Sequence, residues 1–336
     1  MITQISIKNF KSIVDLEVPL GRFNVLIGAN GCGKTNILEA ILLGTASIWD
    51  KLDNEILGLR GIRMTEPKFM TSGFDDSSDK IVINIQTNRR KYNNLIWYRE
   101  DQRRWISGCI IEFPPPDPSV KNFLSFCPEE SALRTFREEI QTLPLGRKGE
   151  GLFRYLKELG QTDKGIQILH EIKEKLYLLD WYDDLKIPEN SFSNDSTVLI
   201  RDRYLSETLQ YFDQRSTNEG FLYLLFYLTL FISDETPEFF AIDNIESAFN
   251  PKMCTELIRI LTDLARKHGK QVIVTTHNPA ILDGLNLAND DERLFVVRRN
   301  IDGHTRINRI EHKVERTMKL SEIWLNGFIG GLPDNF

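Results

Sequence analysis

Lys34 and Thr35 close the run Gly28-Ala29-Asn30-Gly31-Cys32-Gly33-Lys34-Thr35, which has the G-x-x-x-x-G-K-[ST] spacing. Glycines in such a loop let backbone N–H groups turn inward on phosphate oxygens, and a following helix adds the positive end of its dipole. A lysine placed like Lys34 reaches the β- and γ-phosphates, and a hydroxyl placed like Thr35 ligates Mg²⁺. The flanks fit this chemistry: Val25-Leu26-Ile27 precede the loop, and Ile37, Leu38, Ala40, Ile41 and Leu42 follow at helical spacing. Phe23–Leu43 therefore reads as strand, loop and helix. Asn30, Gly31, Cys32, Gly33, Lys34, Thr35 and Asn36 are expected to hold a nucleoside triphosphate. A plain glycine turn joining strand to helix is the blander reading, and it explains neither flank.

Two later segments end apolar runs in residues that suit the same chemistry. Phe239-Phe240-Ala241-Ile242 leads into Asp243, an acid expected beside Mg²⁺ together with Thr35. Val272-Ile273-Val274-Thr275-Thr276 leads into His277, whose imidazole is placed to report a γ-phosphate. A strand-end Asp is otherwise a loop cap, and a strand-end His is usually structural. The phosphate loop upstream tips both toward function.

At 336 residues the chain is long enough for a large core and roughly two domains or lobes. Its 41% hydrophobic and 27% charged content is ordinary for a globular protein, and a net charge of −6 gives no global pull toward nucleic acid or anionic lipid. Local basic runs, Arg89-Arg90-Lys91 and Arg298-Arg299, read first as solvated faces. The four cysteines (32, 109, 127, 254) lack the paired spacing of a zinc site or disulfide framework, so reduced thiols are expected. No basic-then-apolar leader is seen, and the most apolar run, Phe221–Ile232, is shorter than the ~20 residues of a membrane span. It reads as a buried helix in a cytoplasmic protein with no membrane partner.

The elements that must position these residues follow from periodicity. Ile2–Leu20 reads as two strands joined at Lys8–Ser12, and 53–78 as irregular surface. Segments 81–87, 95–99 and 105–113 read as an antiparallel meander, closed by the prolines at 114–116 and 118. A helix-rich region spans 129–181. Beyond 195 come a strand at 198–200, a polar helix over about 204–212, the apolar helix, and then strand–helix alternation through 238–242, 251–268 and 271–275. The strand pair 293–298 and 306–310 follows. Such alternation argues a parallel sheet. The expected fold is α/β: a mixed central sheet with helices, an antiparallel β meander and a helical insertion lobe. The division is 1–113 and 196–336 for the two parts of the main head, with 114–195 as the lobe.

Taken in order, Asn9-Phe10-Lys11-Ser12, GANGCGKTN (Gly28–Asn36), AIDNIESAFNP (Ala241–Pro251) and VTTHNPAILD (Val274–Asp283) resemble the SMC/RecF/OLD group of ABC-type ATPases. The likeness is greatest to short bacterial AAA family members. Leu320–Trp324 and Gly330-Gly331-Leu332-Pro333 are also similar to that subgroup, while the middle lobe matches loosely. The resemblance implies ATP sandwiched between two heads, with a signature turn of one head meeting the triphosphate of the other. The matching turn is Ser216-Thr217-Asn218-Glu219-Gly220, with Asn218 where a serine is expected, so that Ser216 or Thr217 substitutes. A second departure is Asp243-Asn244 where the group has Asp-Glu. An amide is no general base, so either Glu246 serves or hydrolysis is very slow. Gln86 and Gln141 are both candidates for the glutamine-loop residue.

The catalytic set expected is thus Lys34, Asp243, Glu246 and His277, with Thr35 and Asp243 on the metal. The implied function is an ATP-clamped homodimer that regulates a separately encoded effector, a nuclease or toxin, in anti-phage defence. No nuclease constellation is seen in the sequence after His277. The alternative is a DNA-repair ATPase clamping nucleic acid, which the acidic balance and lack of long coiled-coil arms disfavour.

Overall fold

The structure is a computed structural model, and it describes residues 1–74, 78–108, 117, 120, 122–135, 144–187, 198–206, 208–315 and 317–332. Gln141, Cys109 and the 109–113 end of the expected third meander strand lie outside the described residues. The chain forms two compact units, one of Met1–Ser125, Pro237–Glu246 and Asn250–Phe336, the other of Phe126–Thr236 and Ser247–Phe249.

The first unit opens with β1 (Ile2–Phe10) and β2 (Ile13–Pro19), whose alternating burial gives one core face and one polar face. In β3 (Phe23–Ile27) every residue is buried, as expected of a strand covered on both sides. Asn24 is fully buried within it. Its amide donates to Gly21 O and Val272 O at 3.0 Å and accepts from Gly21 N at 2.8 Å, so no polar group is stranded. Helix α1 (Lys34–Ile48) is buried almost all round and packs on the meander strands. The 53–78 stretch is not wholly irregular: Asp53 caps a short helix α2 (Asn54–Arg60), which Gly61 ends in the left-handed region. Asp-x-Glu at the start and Gly at the end are the cap signals. Strands β4 (Ile81–Thr87), β5 (Lys91–Arg99) and β6 (Arg104–Ser107) form the antiparallel meander, in sheet order β2-β1-β4-β5-β6. β7 (Leu124–Phe126) joins the other sheet.

The second unit contains α3 (Glu130–Leu133), α4 (Leu152–Leu159), α5 (Asp163–Leu176), a small sheet of β8 (Tyr182–Lys186), β9 (Leu199–Asp202) and β10 (Phe212–Asp213), and α6 (Glu219–Ile232). Phe221–Ile232 is entirely buried in α6. This unit extends beyond 195 to take in the apolar helix. Among its described residues no helix covers 204–212; turns lead instead into β10. Asp202 and Asp213 accept backbone N–H groups of nearby residues there, a turn-forming habit that competes with helix.

The chain then returns to the first unit with β11 (Phe239–Ile242), α7 (Pro251–Lys267), β12 (Gln271–Thr276), β13 (Glu292–Arg299), β14 (Thr305–Ile310) and α8 (Leu320–Leu325). The sheet order is β14-β13-β3-β12-β11-β7, with β13, β3, β12 and β11 parallel and β14 antiparallel to β13. Among the described residues no helix is long and apolar enough to cross a membrane.

Candidate functional site

Register alone brings the candidate residues of the first unit to one edge. Ile242 pairs with Val274 and Thr276 with Ile27, so Asp243 emerges beside Thr275, and His277 beside Gly28. Ligands bind outside the carboxyl ends of parallel strands in such sheets. Here the carboxyl ends of β3, β11 and β12 supply the phosphate loop, the acid and the histidine.

The loop is shaped by contacts on both sides. Gly33 has φ +110, and a Cβ there would lie 2.2 Å from Thr305 Oγ1, so both conformation and space exclude a side chain. No side chain caps α1 at Gly33, which leaves its first N–H groups for an anion. A hydrogen-bond chain backs the loop. Asn36 Nδ2 donates to Ser12 Oγ at 2.7 Å, the two hydroxyls of Ser12 and Thr305 meet at 2.7 Å, and Thr305 Oγ1 donates to Cys32 O at 3.0 Å. On the other side Ala29 N–H donates to Gly331 O at 2.9 Å, so the segment after α8 is part of the loop's frame.

Lys34 is 5% exposed. Its ammonium donates to Gly28 O at 2.8 Å and Ala29 O at 3.1 Å, and lies 3.4 Å from His277 Nδ1. Burial pushes the Lys34 pKa down. Burial, and next the Lys34 ammonium, push His277 below the ordinary imidazole range, with Glu246 and Asp243 pulling the other way. Two cations at this separation repel, whereas an unprotonated His277 Nδ1 can accept from the Lys34 ammonium. Glu246 Oε1 accepts the His277 backbone N–H at 2.7 Å, while Glu246 Oε2 is buried with no hydrogen-bond partner among the described residues.

Thr35 Oγ1 donates to Asp243 Oδ2 at 3.1 Å. The other Asp243 oxygen accepts from Thr275 Oγ1, which also takes the Asn244 N–H at 2.9 Å. Thr275 thereby orients the carboxylate. Asn244 has φ +57, a conformation that asparagine tolerates better than most residues. A hydroxyl beside a carboxylate is a hard-oxygen donor pair suited to Mg²⁺, which typically takes one or two protein oxygens plus phosphate oxygens. No group of three or more His, Cys, Asp or Glu side chains among the described residues forms a metal cage.

A charged cluster flanks the loop that sequence reasoning did not assign. Glu39, 1% exposed on α1, accepts from Lys11 Nζ at 2.5 Å and from Arg63 Nε at 2.7 Å, and Arg63 also donates to Asn36 Oδ1 at 3.1 Å. A cavity of about 390 Å³ opens there, lined by Lys11, Asn36, Arg63, Phe69, Phe74 and Arg299 among others. The sequence signals were Lys11 in the Asn9–Ser12 motif and a glutamate inside a helix rich in apolar residues. Gln86 lies elsewhere: it is exposed and pairs with Gln4, at the opposite end of β1 from Ser12.

Ser216, Asn218 and Gly220 belong to the second unit. Asn218 caps α6, its Oδ1 accepting from Phe221 N at 2.9 Å. Ser216 is exposed and its hydroxyl donates to Asp213 Oδ1 at 3.1 Å, whereas Thr217 is buried. A Cβ on Gly220 would lie 3.3 Å from Ala248 O, so glycine lets the helix start pack against the Ser247–Phe249 segment.

The sequence pattern of one family, described as "AAA domain, putative AbiEii toxin, Type IV TA system", matches residues 23–283. The chain is similar to an OLD nuclease of Thermus scotoductus, 40% identical over 52 residues, covering 16% of this chain and 10% of that protein. It is similar to the DNA replication and repair protein RecF of Desulforamulus reducens, 25% identical over 197 residues, covering 54% and 48%. The chain thus spans at most about half the length of these relatives. Among solved structures, an SMC head bound to the C-winged helix domain of ScpA superposes with a TM-score of 0.61 at 14% identity, covering 94% of this chain and 99% of that one. The fold is therefore that of an SMC-head-like P-loop ATPase.

Proposed function

Because the chain belongs to the family described as AAA domain, putative AbiEii toxin, Type IV TA system, within the ABC-type ATPases of the SMC/RecF/OLD group, we propose that it clamps ATP between two copies of itself. In this reading the closed pair holds or activates a separately encoded effector, a nuclease or toxin, as part of cytoplasmic anti-phage defence. The observation that carries it is the gathering of Lys34, Thr35, Asp243, Glu246 and His277 at one strand edge beside an uncapped helix start.

Each residue has a role. The N–H groups of the Asn30–Asn36 stretch and the Lys34 ammonium bind the phosphates, Lys34 exchanging its contacts with Gly28 and Ala29 carbonyls for phosphate oxygens. Thr35 and Asp243 hold Mg²⁺, which when bound neutralises charge on the β- and γ-phosphates. His277 senses the terminal phosphate through Lys34. The cavity beside Asn36, Arg63 and Phe74 offers room for the sugar and base. Glu246, pinned through Oε1 and with Oε2 unpaired, is the base that takes a proton from the attacking water. Asn244 supplies none, so turnover rests on Glu246 alone and is slow, and the clamped state is long-lived. Ser216, Asn218 and Gly220 meet the triphosphate of the second copy at the start of α6.

Sedimentation with and without ATP–Mg²⁺ tests this. A monomer that becomes a dimer only with ATP, most completely in Glu246→Gln, is expected; a monomer under all conditions overturns the clamp. The names of the OLD and RecF relatives favour a second reading, in which the pair clamps DNA. ATP-loaded protein would then retard duplex DNA, with affinity falling steeply as salt rises.

A further inference from the structure

The turn that precedes α6 is held by one side chain. Arg134, directly after α3, places Nη1 2.8 Å from Arg215 O, 2.8 Å from Thr217 O and 3.3 Å from Gln214 O. Its Nε donates to Glu130 Oε1 at 2.8 Å, which fixes the direction of the guanidinium fork. Planar and always charged, guanidinium is suited to gathering several oxygens in a fixed geometry. On the opposite polarity, Asp213 Oδ1 collects the N–H groups of Arg215 and Ser216 at 3.0 and 3.1 Å. Gln214 is anchored separately, its Oε1 accepting from Val198 N at 2.9 Å. The carbonyls of the turn thus converge on Arg134 and two of its amides on Asp213, while Asn218 closes the helix start by capping Phe221 N. All these residues lie within the second unit, so the arrangement is complete in a single copy before any partner arrives.

We propose that Arg134 is the positioning residue of the Ser216–Gly220 turn: by holding the carbonyls of 214, 215 and 217 on its own side, it presents the first amides of α6 to the triphosphate bound by a second copy. Arg134 touches no nucleotide itself. The role rests on the two-copy reading above, and it assigns the cost of ordering the turn to folding rather than to association. Removing the guanidinium should therefore weaken association of ATP-loaded copies and spare nucleotide binding by one copy.

The test is Arg134→Ala, with Arg134→Lys and Glu130→Gln beside it. Single-copy affinity for a fluorescent ATP analogue is measured at low protein concentration, and ATP-dependent association by sedimentation. The expected result for Arg134→Ala is analogue affinity within about twofold of wild type, and a half-association concentration raised at least tenfold. Arg134→Lys, which keeps the charge but loses the Nε anchor to Glu130, should fall in between. Glu130→Gln, which keeps the guanidinium and loosens its anchor, should show a smaller rise of about threefold. If Arg134→Ala does not fold, the last two variants decide. Association equal to wild type in the folded variants overturns the role of Arg134 and leaves the two-copy clamp standing. Parallel loss of analogue binding and association makes Arg134 merely structural. Wild-type protein that never associates with ATP overturns the clamp and the role together.

Discussion

In the proposed clamp the phosphate loop and the Ser216–Gly220 turn each bring a helix start to the triphosphate, yet they are built in opposite ways. The loop is shaped by what is missing: Gly33 leaves room for Thr305, no side chain caps α1, and Lys34 rests on the Gly28 and Ala29 carbonyls, which the proposed phosphate contact would replace. The turn is shaped by what is added, with Arg134 on its carbonyls, Asp213 on its amides and Asn218 over the helix. The difference fits the proposed division of labour. A site that takes up ligand alone must keep groups unsatisfied, whereas a surface that meets an already bound ligand is better fixed beforehand.

In the proposed mechanism chemistry belongs to the strand edge that holds the phosphate loop, so the largest break in the comparison is expected there. Glu246→Gln removes the unpaired Oε2 while leaving an oxygen to accept the His277 N–H. Turnover should fall by about 10²–10⁴-fold, the usual contribution of a general base, with ATP binding retained and the dimer more persistent. Steady-state phosphate release checks this. Asn244→Glu sharpens it: if the base is limiting, the variant speeds turnover, although glutamate at φ +57 should cost about 1 kcal/mol of stability. Unchanged turnover in Glu246→Gln would remove Glu246 from the mechanism.

Next in size is Lys34→Met. A buried, hydrogen-bonded cation is lost, and such truncations typically cost about 2–5 kcal/mol of binding, so ATP affinity of the single copy should fall by about 30-fold or more. Calorimetric titration measures it. On the other region Asn218→Ala should act oppositely in kind: loss of a helix cap costs about 1 kcal/mol. Single-copy affinity should stay level, and the dimer should weaken by about fivefold. A fall in single-copy affinity as large as that of Lys34→Met would erase the distinction between loop and turn.

The two regions also differed in how much the residues disclosed. The loop, Asp243 and His277 were legible because each ends a continuous apolar run, and parallel strands bring such ends to one edge. Ser12 and Thr275 stood inside stretches that carry the family resemblance, but nothing local gave them or Thr305 a role, because their hydroxyls matter through register and long-range pairing. Arg134 is separated from the turn by 80 residues, and three backbone carbonyls leave no trace in sequence. The expected helix at 204–212 failed because Asp202 and Asp213 bond local backbone, and the short α2 was missed although Asp53 and Gly61 bracket it. Of the Lys11–Glu39–Arg63 cluster, Lys11 stood in the Asn9–Ser12 motif and Glu39 in a helix rich in apolar residues, with nothing to pair them.

The smallest effect expected is that of pH, and it falls on the loop alone. Burial and then Lys34 hold the His277 pKa below the ordinary value of about 6.5, against the pull of Glu246 and Asp243. The folded free chain therefore resists protonation at His277, and its stability should decline as pH falls below that value, less so in His277→Gln. Triphosphate brings negative charge beside the ring and draws Lys34 away, so the pKa should rise on binding. By linkage, ATP affinity should strengthen as pH drops through the range between the two pKa values, by a few-fold at most. Titrations between about pH 5.5 and 8 check the slope, which should vanish in His277→Gln and persist in Asn218→Ala. A slope equally lost in Asn218→Ala would mean that the proton is taken up at the turn and not at the loop.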